Sequence, residues 1–155
     1  LKNTLTVTDC FNQKGKEKLL ARDKIPAAIT SDNKWLETGP NSYTCYRFSD
    51  LSIPEGAAIV SVVVFIEHFE DPSFTKGKLA WSVGTGWPSR PEVWASIEAP
   101  VRQGQGSEAT DSWDVTSAVD TAEKVNSFQV QVQNNDAAGP RKTSVDYIYA
   151  VVEWY

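Results

Sequence analysis

Trp81, Trp87, Arg90 and Trp94 fall close together in the chain. Trp87 and Arg90 stand in GTGWPSRPE, where Gly and Pro mark a loop. A loop tryptophan can stack on a sugar ring while a neighbouring guanidinium bonds the ring's hydroxyls. The same pair can anchor a protein interface, or the indole can lid the core. Trp35, in SDNKWLETG, carries the same choice. Trp35, Trp87, Arg90 and Trp94 are therefore the candidate ligand-binding residues. Trp81 and Trp113 alternate with apolar neighbours and read as core.

Carboxylates form the second group. Calcium takes about 6–8 oxygens, commonly from loops. Glu70, Asp71 and Asp136 are the candidate calcium ligands, with Asp111 a further choice, although no DxDxDG spacing is present. The alternative is a solvated sheet edge. A glycosidase needs two carboxylates across a cleft, roughly 5–10 Å apart; Glu67, Glu70 and Asp71, or Asp111 and Asp114, are available, and spacing does not place them so. His68 is the only histidine. It has no GxSxG elbow to serve and no second histidine with which to hold zinc. It reads as a strand histidine with a hydrogen-bonded partner. The expectation is a non-enzymatic protein with no cofactor, calcium being the one considered.

The elements that must position these side chains are strands. TLTVTDCF (4–11), SYTCYRFS (42–49), KGKLAWSVG (76–84), SWDVT (112–116) and SFQVQVQNND (127–136) alternate apolar and polar residues. VSVVVFIEHF (60–69) and VDYIYAVVEWY (145–155) are apolar on both faces and read as inner strands covered on both sides. In the last, Val145, Tyr147, Tyr149 and Val151 share one face, and Ile148, Ala150, Val152 and Trp154 the other. An edge so long and apolar would template aggregation, so its neighbour should be 59–69 or 4–11. IPEG (53–56) is a turn signal. Helix is scarce: 16–25 and 116–125 predict short pieces, the second capped by Thr116 or Ser117. With about seven or eight strands, the fold class is all-β. It is a two-sheet antiparallel β-sandwich, jelly-roll-like, with one or two short helices, forming a single domain over 1–155.

Composition narrows the partners. The chain has 155 residues, 41% hydrophobic and 23% charged, with a formal net charge of −5. That suits a globular domain and argues against nucleic acid or docking on an anionic membrane. No apolar run approaches the ~20 residues that span a bilayer. The chain opens on Leu and contains no Met, which reads as a processed chain or a segment of a longer one. Cys10 and Cys45 are expected to pair in an exported protein; such a bridge is worth about 4 kcal/mol in the chain-entropy model. The basic run QKGKEKLLARDK (13–24) reads as a solvated surface, or as a face for an acidic patch on another copy.

Three passages carry a resemblance. YRFSDLSIPEGAAIVSVVVFIEHF leads a strand through an Ile-Pro turn into a long apolar strand. SWDVTSAVDTAEKVNSFQVQV runs from Trp-Asp-Val-Thr through a short helical turn into a Phe-led strand. VDYIYAVVEWY resembles the closing strand of the same pattern. Together they resemble the disaggregatase-related, DNRLRE-type β-sandwich modules, and more loosely the carbohydrate-binding modules of that shape. The resemblance covers roughly 42–70 and 110–155 and transfers no binding residue. It implies a secreted or cell-surface location. The first functional expectation is an extracellular structural or adhesive module, a filament or sheath subunit, that contacts other copies of itself or other surface proteins. The alternative is a carbohydrate-binding module that stacks polysaccharide on loop tryptophans.

Overall fold

The computed structural model describes residues 35–48, 53–137, 139 and 141–155, together with the backbone strands at 3–7, 10–14 and 18–19. In chain order the elements are β1 (Asn3–Val7), β2 (Cys10–Lys14), β3 (Lys18–Leu19), β4 (Leu36–Thr38), β5 (Ser42–Phe48), β6 (Ile59–Glu70), β7 (Leu79–Thr85), β8 (Glu92–Glu98), β9 (Ala109–Asp114), α1 (Ala122–Ser127), β10 (Gln129–Asn134) and β11 (Thr143–Trp154). One sheet has the order β1-β11-β6-β9, with β4 also on β11; the other runs β3-β2-β5-β10-β7-β8. Among the described residues, every pairing between these strands is antiparallel. The expected two-sheet sandwich is therefore present. From β4 to β7 the chain changes sheet at every strand, and it does so again after β8, in the jelly-roll manner.

The period-two pattern explains the layers. On β6, Val62, Val64, Ile66 and His68 point into the sandwich, as do Ile148, Ala150 and Val152 on β11. Tyr46, Phe48, Trp81, Val83, Phe128, Val130 and Val132 meet them from the other sheet. Phe48 and Phe128 are in ring contact at 4.9 Å. The closing strand lies between β6 and β1 of its own chain, so both expected neighbours flank it.

Several expectations change. The stretch 4–11 is not one strand: β1 joins the β6 sheet and β2 joins the β10 sheet. Most of the helix expected at 16–25 lies outside the described residues, and Lys18–Leu19 within it is strand. The later helix begins at Ala122, and its cap is Thr121, whose side chain accepts from the Lys124 amide at 3.2 Å, not Thr116 or Ser117. Thr116 is engaged elsewhere, donating to Asp114 Oδ1. That carboxylate also accepts the Thr116 amide at 3.0 Å and closes the turn after β9. In the 53–57 turn, Gly56 carries φ +81°, the left-handed conformation glycine supplies at low cost.

Two further corrections concern faces. A register shift between Val145 and Tyr147 inserts one extra residue into β11. Parity flips there, so Val145 packs in the core with Ile148 rather than sharing a face with Tyr147. The Cys10–Cys45 bridge is not formed. Cys45 is a buried free thiol, and the register sets Cys10 opposite Phe48 while Cys45 faces Gln13. Three rungs along a strand add about 10 Å, beyond disulfide reach. Burial pushes the Cys45 thiol up to about 12.

Candidate functional site

The alternation that fills the core also decides what the outer face of the β6 sheet shows. On β6 this face carries Val63, Phe65, Glu67 and Phe69. On β11 it carries Tyr147, Tyr149 and Val151. Tyr147 sits opposite Glu67, and Tyr149 opposite Phe65. Phe65 and Tyr149 stack at 4.8 Å with an interplanar angle of 9°. Tyr149 and Tyr147 continue the row at 4.8 Å. All three rings are half-buried, so solvent reaches a contiguous aromatic platform. The sequence reading covered β6 and β11 on both sides; on this side the cover is partial.

Trp35 extends the platform. It precedes β4, which pairs with the start of β11, and its indole meets Phe69 edge-on at 5.0 Å and 81°. A cleft of about 310 Å³ opens there, lined by Trp35, Glu37, Phe69, Asp71, Gln105 and Lys142 among others. Lys142 Nζ donates to Glu37 Oε2 at 2.9 Å, and Trp35 Nε1 donates to Glu37 Oε1 at 3.4 Å. An aromatic wall with a few polar groups at its rim is the usual make-up of a small-molecule site.

The other expected ligand residues lie elsewhere. Trp87 and Arg90 occupy the β7–β8 loop, at the end of the sandwich where β10 begins, whereas Trp35 sits at the end where β10 stops. Trp87 is only 7% exposed. Its amide donates to Gln129 Oε1 at 2.9 Å, which fixes the loop against β10. The loop turns at Gly86, with φ +84°, where a Cβ would lie 2.1 Å from the Arg90 carbonyl oxygen. Trp94, on β8, has Lys124 Nζ 5.3 Å from its ring centroid and donates its Nε1 to Glu92. Arg90 is exposed. Only Trp35 of the four joins the platform.

The calcium candidates are engaged by protein donors. Glu70 accepts from Thr143 Oγ1 at 2.8 Å and the Arg102 amide at 2.7 Å. Asp71 Oδ1 accepts the amide and hydroxyl of Ser73. Asp136 accepts the Thr75 amide at 2.8 Å and pairs with Arg141. Among the described residues, the group of three carboxylates that gathers closely is a different one. Glu67, Glu108 and Asp146 bring an oxygen each within 4.8 Å of one another, beside Tyr147. Burial raises the Glu108 carboxyl, and Glu67 adds to it. Burial also raises Tyr147, followed by Tyr149 and Glu67. Sequence reasoning missed this group because its members lie on separate segments and Asp146 sits at the bulge.

His68 lies beneath the platform, inside the sandwich. Its Nδ1 is 2.8 Å from Glu70 Oε2 and its Nε2 is 2.8 Å from Asp111 Oδ2. Arg102 closes the chain on Asp111, through Nε at 3.0 Å and Nη2 at 2.5 Å. Both ring nitrogens face acceptors, so the ring fills both bonds as a donor only when it carries both protons. At 1% exposure it meets no substrate. The expectation of a partnered strand histidine holds.

The Arg102 bond holds the Asp111 carboxyl below its ordinary value; burial opposes the shift, and His68 adds to it. Asp71 and Asp114 are lowered likewise by Ser73 and Thr116. A depressed carboxylate contributes its stability in full above the unfolded value, about 3.9 for Asp, and loses it as pH falls through the folded value. Melting temperature should therefore drop as pH falls below about 4. Asp111→Asn should flatten part of that acid limb, measured by thermal unfolding from pH 7 to pH 2.5. An unchanged acid limb would remove Asp111 from the account.

No protein-family model matches the chain, the disaggregatase-related one included, and no curated protein matches it. Three solved structures resemble it in outline. A family two carbohydrate esterase from Cellvibrio japonicus aligns with 8% identity and TM-score 0.39, over all of this chain; this chain spans 35% of the esterase. A carbohydrate-binding module from Cellvibrio mixtus lichenase 5A, in complex with cellotriose, aligns with 8% identity and TM-score 0.43, over 96% of this chain and 95% of that one. The tomato aspermy virus structure aligns with 11% identity and TM-score 0.33, over 83% of each chain. No helix among the described residues is long and apolar enough to cross a membrane.

Proposed function

We propose that this protein is a carbohydrate-binding module whose binding surface is the outer face of the β6 sheet. The observation that carries the reading is the half-exposed row Phe65–Tyr149–Tyr147, running toward the Trp35–Phe69 cleft. Tyrosine and tryptophan offer an apolar ring and a polar tip, which suits a ligand with C–H faces and hydroxyl edges. Glu67, Glu37, Lys142 and Gln105 border the row and can meet those hydroxyls. The site is an open face rather than a loop-tip cluster, so the ligand is a glycan chain met along its length. Such a ligand agrees with an extracellular or cell-surface setting.

The structural or adhesive reading would use contacts with other copies of the chain or with other surface proteins; within one chain, β1 and β11 pair with each other.

Trp35→Ala combined with Tyr149→Ala tests the site. Both side chains lie outside the core cluster, so the variant should melt close to the parent. Calorimetric titration with soluble polysaccharides should show saturable binding by the parent and a loss of at least about tenfold in the variant, since an aromatic anchor is typically worth about 2 kcal/mol. No binding by the parent, together with self-association that the same variant abolishes, would return the face to protein assembly.

A further inference from the structure

The charges around the platform narrow its ligand, given the carbohydrate reading above. Glu67 stands within the aromatic row, opposite Tyr147. Glu108 and Asp146 each bring an oxygen within 4.8 Å of it. Glu37 and Asp71 line the adjoining cleft, where the cation among the described lining residues is Lys142, already bonded to Glu37 at 2.9 Å. Arg102 is bonded to Asp111, and Arg141 is paired with Asp136.

Ionised carboxylates accept hydrogen bonds and donate none. A ligand group meeting them must therefore donate, as a sugar hydroxyl does. A uronate or sulfate brings further acceptors and like charge, and a surface lined by one sign of charge repels its like on approach. The chain's formal net charge of −5 acts in the same direction. We propose that the outer face of the β6 sheet takes uncharged, hydroxyl-rich glycan chains and rejects acidic ones, with Glu67 and Glu108 setting the discrimination. Burial raises the Glu108 carboxyl, and the neighbouring Glu67 charge adds to the shift.

The test compares matched polysaccharide pairs that differ in acidity on one backbone: glucan with glucuronan of the same linkage, and mannan with polymannuronate. The full chain is titrated with each at low salt. In at least one pair the neutral member should bind, with the acidic member at least tenfold weaker. Glu67→Gln with Glu108→Gln should narrow that gap by strengthening the acidic member. Added salt should narrow it too, because screening shortens the repulsion. Equal or tighter binding of the acidic member, or a gap the double variant leaves unchanged, would overturn the charge discrimination and leave the carbohydrate reading standing. Failure of both members of every pair would remove the carbohydrate reading itself.

Discussion

His68→Ala is expected to cost about 1–3 kcal/mol for each buried partner it leaves unpaired, since the imidazole bridges Glu70 and Asp111. Glu70 has no exposed surface. In the parent its Oε2 shares the His68 ring nitrogen and the Thr143 hydroxyl, while its Oε1 holds the Arg102 amide. Without the imidazole, a carboxylate stays buried with neutral donors alone, and Asp111 loses a second partner. The loss should fall unevenly. A second substitution, Glu70→Gln in the His68→Ala background, removes the stranded charge and should recover part of the stability. Urea unfolding of the two variants checks this. A cost under about 1 kcal/mol, or no recovery in the double variant, would mean the set contributes little.

Trp81→Ala should be comparably severe, at about 3–5 kcal/mol for a fully buried aromatic. Trp81 is 1% exposed and enters the core from β7, between Val132 of β10 and Ile97 of β8. Its ring meets His68 edge-on at 5.2 Å and 81°. It therefore joins the aromatic core of one sheet to the hydrogen-bonded His68 set of the other. The two sites share a contact, so their costs should not add. A double-mutant cycle between Trp81→Phe and His68→Ala should give a coupling of about 0.5–3 kcal/mol. Strict additivity would separate the two clusters.

The strands that alternate most clearly were legible in the residues alone. SFQVQV became β10, and the long apolar runs became β6 and β11, paired as aggregation avoidance required. β8 was not legible. EVWASIE is an edge strand with charged ends and mixed exposure, so neither face reads as apolar. The division of 4–11 between two sheets leaves only one mark in the sequence, Asp9, which interrupts the face of Leu5, Val7 and Phe11. Gln129 and Gln131, polar positions of the 127–136 alternation, are buried, and for Gln129 the reason is the Trp87 loop folded against it.

The candidate site was half legible. Trp35 was singled out for its side chain, but its companions were assigned to a two-sided interior because Phe65, Tyr147 and Tyr149 stand in β-branched, aromatic text. A signal was present. Both tyrosines fall on one face of β11, and a tyrosine pair with a glutamate opposite marks a wet face more than a buried one. The clustering of Trp87, Arg90 and Trp94 in sequence misled for a plain reason. Nearness along a chain does not survive a hairpin, and Trp87 turns inward while Lys124 crosses Trp94.

The central claim is that the outer face of the β6 sheet is the ligand-binding surface. Backbone and side-chain NMR shifts, recorded while the full chain is saturated with a neutral glycan that it binds, test this most directly. The expected changes gather at the Trp35 indole, at Phe65 and Glu67, and at Tyr147 and Tyr149, with the loop at 86–94 unmoved. Changes confined to that loop, with the tyrosine row silent, would contradict it.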